Sequence, residues 1–129
     1  MTQDEYFRFH EEMCQAARDL SRRKNNDYAA PDSRKTDPYA IFANFMQSER
    51  LNICSVEAGF MVRLSDKLSR MANLTRAGHE QAVADEKLED TVLDVINYSL
   101  LLLAYTKMKR DFTNLAESCL LYTSDAADD

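Results

Sequence analysis

The chain has 129 residues, 45% of them apolar and 29% charged, with a formal net charge of −6. That is enough for one domain with its own core and too little for two. The acidic balance excludes a general nucleic-acid binder, and two glycines and two prolines exclude a turn-rich β fold.

The N-terminus, MTQDEYFRF, is charged from its start and does not read as a signal peptide. No stretch is apolar for long enough to span a membrane. Cys14, Cys54 and Cys119 are isolated and odd in number, without CxxC spacing, so neither a zinc site nor a disulfide framework is indicated. A reducing cytoplasm is the expected compartment.

Residues 3–23 predict an amphipathic helix, with Tyr6, Phe9, Met13, Ala16 or Ala17, and Leu20 at helical spacing. Glu11, Glu12 and His10 read as its solvated face. Residues 22–38 then form a polar stretch with both prolines and an Asn-Asn-Asp run, which predicts a long loop. Its left edge holds Lys24, Asn25, Asp27 and Tyr28. A cation, amide, carboxylate and ring so close together can hold a phosphate and a sugar or base. They can equally cap a helix C-terminus, where basic residues answer the dipole.

Residues 39–46 are aromatic-rich and predict a helical turn or two, with Phe42 and Phe45 closing the core. Asn44 between them either caps backbone or points into a pocket. Ser55 then N-caps a helix running to about residue 76, with Glu57 in its first turn. Phe60, Met61, Leu64, Leu68 and Met71 read as its apolar face. Arg63, Asp66, Lys67 and Arg70 read as the opposite face, either solvated or meeting an anion; Arg matches phosphate oxygens bidentately.

Gly78 ends that helix, and Asp85 is the expected N-cap of the last one, which continues to the basic residues Lys107, Lys109 and Arg110. Within it, residues 100–104 are apolar on every face, as in a helix interior to a bundle. About two to four turns earlier, Glu86, Asp90 and Asp94 recur at i, i+4 steps, with Asn97 beyond. At about 100° per residue these four share an arc of roughly 80°. Carboxylates carried on a helix destined for burial need a metal ion or a cation to meet them. Both alternatives, a divalent-metal site and interhelical salt bridges, fit this helix.

Three motifs therefore stand in order: K-N-x-D-Y at Lys24, R-x-x-D-K-x-x-R at Arg63, and E-x-x-x-D-T-x-x-D-x-x-N-Y at Glu86. With F-x-N-F at Phe42, they resemble the nucleotide modification associated domain 1 family, small helical proteins common in phage genomes. The resemblance spans roughly residues 7–109. That family is in turn similar to the all-α nucleoside triphosphate pyrophosphatases, the MazG and dimeric dUTPase group, which hold Mg²⁺ with acidic residues from two bundle helices. Here the E-E-x-x-E typical of that group is absent, and Asp66 stands amid three cations instead.

The resemblance implies an all-α bundle of about four helices that binds a nucleotide, expected to be a deoxynucleoside triphosphate, with pyrophosphohydrolase-like chemistry. Glu86, Asp90 and Asp94 are the expected Mg²⁺ ligands and catalytic acids. Lys24, Arg63, Lys67 and Arg70 are expected on the phosphates. Asn25, Asp27, Tyr28, Asn44, Asp66 and Asn97 complete the expected substrate contacts. Alternatives are a non-catalytic nucleotide-binding module and a structural bundle whose stripes pair with each other. A homodimer is the expected assembly.

Residues 119–129, CLLYTSDAADD, resemble the translation of a transposon-based sequencing adapter. The expected domain is therefore residues 1–118, with the remainder outside the fold.

Overall fold

The computed structural model describes the backbone of residues 1–28, 37–76 and 81–127, and the side chains of 1–25, 37–76 and 83–121. Four α-helices account for most of it: α1 (Gln3–Tyr28), α2 (Ala43–Arg50), α3 (Val56–Leu74) and α4 (Gln81–Ala127). A 3-10 turn at Ala40–Phe42 leads into α2. The fold is an all-α bundle in which α4 is the common wall, with α1 and α3 packed on it and α2 packed on α3. No helix among the described residues is long and apolar enough to cross a membrane.

The core sits where the 3-10 turn, α2, α3 and α4 meet. Phe42, Phe45, Val56, Phe60 and Tyr105 are buried there, backed by Met46, Tyr98, Leu101, Leu102 and Met108. The Phe45 and Phe60 rings stack at 4.1 Å, and Phe42 meets Tyr105 edge-on at 5.5 Å. Phe42 and Phe45 thus close the core as their spacing predicts.

The short connection from α2 to α3 is built from caps. Ile53 N–H donates to the Ser48 carbonyl at 2.9 Å, and Asn52 takes a left-handed φ of 57° to allow it. Asn tolerates that region better than most residues. Ser55 Oγ accepts from Ala58 N–H at 3.1 Å, the N-cap its position predicts. Gly59 then lets α3 approach α2 closely, since a Cβ there would lie 2.8 Å from Ser48 Oγ.

Several boundaries and faces differ from expectation. Helix α1 continues through the polar stretch to Tyr28 rather than ending near residue 23. Asn propensity is poor in helices, but the Lys24 side chain is anchored on α4 and Asn25 faces the same helix. The expected loop is thereby shortened, and its positions 29–36 lie outside the described residues.

Helix α4 begins at Gln81, so Asp85 is inside it rather than its N-cap. It also runs on to Ala127, through the segment expected to lie outside the fold. From residue 111 to 121 every side chain is exposed, although the Phe112 ring stacks on Tyr39 at 6.1 Å.

The inward stripe of α3 is Phe60, Leu64, Lys67, Met71 and Leu74, spaced alternately by four and three as in a helix seam. Met61 and Leu68, expected on it, are exposed. Lys67 takes the inward place because its stem packs while its ammonium reaches a partner. The apolar run of α4 is likewise divided. Leu101 and Leu102 back the core, while Leu100 and Leu103 are 59% and 53% exposed.

Candidate functional site

Asp94 is the carboxylate of α4 that turns inward. Its Oδ1 accepts from Lys24 Nζ of α1 at 2.9 Å, and its Oδ2 from Lys67 Nζ of α3, also at 2.9 Å. The Asp94 side chain is 15% exposed, against 44% for Lys24 and 24% for Lys67. Burial pushes its pKa up, but the hydrogen bonds and charges of the two lysines outweigh this and hold it below the usual carboxylate value. One acid therefore ties three helices together.

Beside this clamp, Asn97 Nδ2 donates to the Ala17 carbonyl at 2.9 Å. A helix carbonyl has a second lone pair for such a bond, and Ala17, 2% exposed, is small enough to bring α1 that close. On the other wall, the Arg63 guanidinium lies over the Phe45 ring, 4.6 Å from its centroid. Its Nη2 also donates weakly to the Asn44 carbonyl at 3.4 Å. Tyr98 meets Phe45 edge-on at 5.5 Å, and Lys67 Nζ stands 6.0 Å from the Tyr98 ring centroid.

These groups surround a cavity of about 260 Å³. Its lining includes Lys24, Asn25, Asn44, Arg63, Asp94 and Asn97, six of the residues singled out by sequence, contributed by all four helices. Ser21, Phe45, Tyr98 and Leu101 complete the walls with Ala40 and Ala43. The space is at the small end for a ligand site, enough for one part of a nucleotide with the rest in the open.

Other expected residues lie elsewhere. Asp66 and Arg70 are exposed on α3 and do not line the cavity. Glu86 and Asp90 are exposed on α4, so the acidic stripe turns inward only at Asp94. Lys67 reaches Asp94 without lining the cavity. The side chains of Asp27 and Tyr28 lie outside the described residues. Among the described residues, no three or more His, Cys, Asp or Glu side chains gather as metal ligands.

Two features were not read from the sequence. Tyr98 follows Asn97 in its motif and lines the cavity, although its ring alone gave no reason to separate it from the core. The cations that meet Asp94 are lysines, because Arg63 is held over Phe45 and Arg70 faces outward.

Fold and cavity together define an all-α protein with a small, cation-bearing pocket of mixed polar and apolar lining between its helices. The chain matches no protein-family model, no curated protein and no solved structure.

Proposed function

We propose that the chain binds a nucleotide at this cavity. The observation that carries the reading is the convergence of Lys24, Asn25, Asn44, Arg63, Asp94 and Asn97 on one space beside an aromatic wall. Arg63 is exposed and has no ion pair among the described residues, so its remaining N–H donors can take phosphate oxygens. The three carboxamides offer both donors and acceptors to a sugar or base edge. The motif resemblance supports a deoxynucleoside triphosphate as ligand and a role in phage-type nucleotide metabolism or base modification.

Mg²⁺ would arrive with such a ligand, bound chiefly by its phosphate oxygens. The described residues do not fit a preformed metal site: both Asp94 oxygens accept from lysines, and Glu86 and Asp90 stand apart in solvent. No hydrolytic step is therefore assigned to them. Calorimetric titration with each deoxynucleoside triphosphate, with and without Mg²⁺, tests the reading. Saturable binding that Arg63→Ala weakens supports it, and absence of heat at millimolar ligand refutes it. Release of monophosphate and pyrophosphate in the same mixtures would extend binding to pyrophosphohydrolase chemistry.

The doubly paired Asp94 favours a second reading, a structural bundle whose acidic and basic stripes answer each other. On that reading Lys24→Ala and Lys67→Ala lower the melting temperature while no nucleotide raises it.

A further inference from the structure

Helix α1 has 26 residues, yet Ala17 is its one buried side chain among those described. Tyr6, Phe9 and Met13 of α1, with Val92, Ile96 and Leu100 of α4, line an open groove of about 790 Å³. It shares no lining residue with the candidate cavity. Tyr6, Phe9 and Leu100 are exposed there, and contiguous apolar surface of this kind marks a binding site. The volume falls within the range of small-molecule sites, roughly 300–1,000 Å³.

Charge says what such a ligand carries. Asp85 and Glu89 line the groove, and no lysine or arginine is among its described lining residues. The bases Arg18 and Arg22 line an adjoining groove instead. Glu89 makes no ion pair among the described residues. On α4 the two acids stand one turn apart, and Val92, Ile96 and Leu100 follow on the same side of the helix. Leu100 lies about 16 Å along the axis from Glu89, at the rise of an α-helix. The α4 wall is therefore acidic at one end and apolar along the rest. An uncharged apolar ligand covering Glu89 would strand its carboxylate, and an anionic one would be repelled by it. A cation would meet it. Tyr6 and Phe9 add two rings of the kind that attract alkylated ammonium groups.

We propose that this groove binds a lipophilic cation, a small molecule with an alkylated ammonium head beside Asp85 and Glu89 and an apolar tail along Val92, Ile96 and Leu100. The groove is separate from the candidate cavity, so this site and the proposed nucleotide site fail independently of each other.

Calorimetric titration of the full chain with decyltrimethylammonium, below its micelle concentration, tests it. One cation is expected to bind per chain. Decyl sulfate has the tail with the opposite charge, and tetramethylammonium has the charge without the tail. Each is expected to bind about tenfold or more weakly than the amphiphilic cation. Glu89→Gln and Leu100→Asn, both at exposed positions, are each expected to weaken binding of the cation by about threefold or more, with far-ultraviolet circular dichroism unchanged. Glu117→Gln removes the same charge from an exposed position outside the groove and is expected to leave affinity as it was. Equal losses in Glu89→Gln and Glu117→Gln would reduce the effect to the net charge of the chain and overturn the proposal. So would decyl sulfate bound as tightly as the cation, or no saturable binding. Binding that vanishes as the chain is concentrated would give the groove to a second copy. Sedimentation with phosphatidylcholine vesicles that Glu89→Gln abolishes would give it to a membrane surface. Either result overturns the assignment to a free small molecule.

Discussion

Lys24 Nζ donates to Asp94 Oδ1 at 2.9 Å across 70 positions of sequence, while Lys67 takes the other oxygen. The contact joins α1 to α4 through the residue that also borders the cavity. Packing and site chemistry therefore share one carboxylate, and changes to it should read out in both.

Asp94→Asn is expected to destabilise the protein by about 1–3 kcal/mol at neutral pH, between the range for surface pairs and that for buried ones. The folded-state pKa of Asp94 is depressed from its ordinary 3.8, so its contribution is fully present above that value. It is lost as pH falls through the lower folded-state value. Chemical melts of both proteins should therefore differ by a constant amount from pH 5 to 8, at roughly the plateau of that curve, and converge in stronger acid. A melting temperature that rises with millimolar Mg²⁺, and loses that rise in Asp94→Asn, would instead restore Glu86, Asp90 and Asp94 as metal ligands.

Arg63 and Arg70 lie seven positions apart in one motif, but the structure separates them. Arg63→Ala should weaken nucleotide binding by about 1.5–3 kcal/mol, tenfold or more, as expected for a charge-assisted phosphate contact. Arg70→Ala should leave affinity unchanged, since Arg70 is exposed and lines no part of the cavity. Equal losses in calorimetric titration would show that the phosphates extend along the whole basic face of α3.

The close approach of α3 to α2 rests on Gly59. Gly59→Ala should cost about 1–3 kcal/mol by overpacking, because its Cβ would meet the buried Ser48 Oγ at 2.8 Å. That hydroxyl has no hydrogen-bond partner among the described residues. Ser48→Ala should then be neutral or stabilising, and should turn Gly59→Ala into a gain of up to about 1 kcal/mol from helix propensity. Urea melts of the four proteins form the cycle, and simple additivity would rule out the contact as the cause.

Phe60 is fully buried and stacks on Phe45. Phe60→Ala should cost about 3–5 kcal/mol, a large share of the stability of so small a core. It should also loosen Phe45 and with it the seat of Arg63. Retained nucleotide affinity in a folded Phe60→Ala protein would mean that Arg63 needs no aromatic support.

Deleting residues 119–129 should lower the helical signal, because α4 continues to Ala127. It should move the melting temperature by no more than about one or two degrees, since its described side chains, residues 119 to 121, are exposed. A larger loss would show that this end of α4 is covered in solution, by a second copy or by the chain itself.

Composition and periodicity alone were enough for the all-α class, for the Ser55 cap and for Phe42 and Phe45 in the core, because each follows from local rules of spacing and capping. The groups of the cavity were also legible as residue types. Lys24, Asn44, Arg63, Asp94 and Asn97 stand out as polar side chains on helices with apolar faces. Their partners were not legible. A helix repeats its faces every few residues, so Glu86, Asp90 and Asp94 look alike in sequence, and only the angle at which α1 and α3 cross α4 selects Asp94. Lys67 reads as solvated because its charge conceals a stem long enough to lie in the α3 seam. Leu100 and Leu103 read as buried because hydropathy records what a side chain would gain from cover, whereas packing decides whether cover is supplied within one chain.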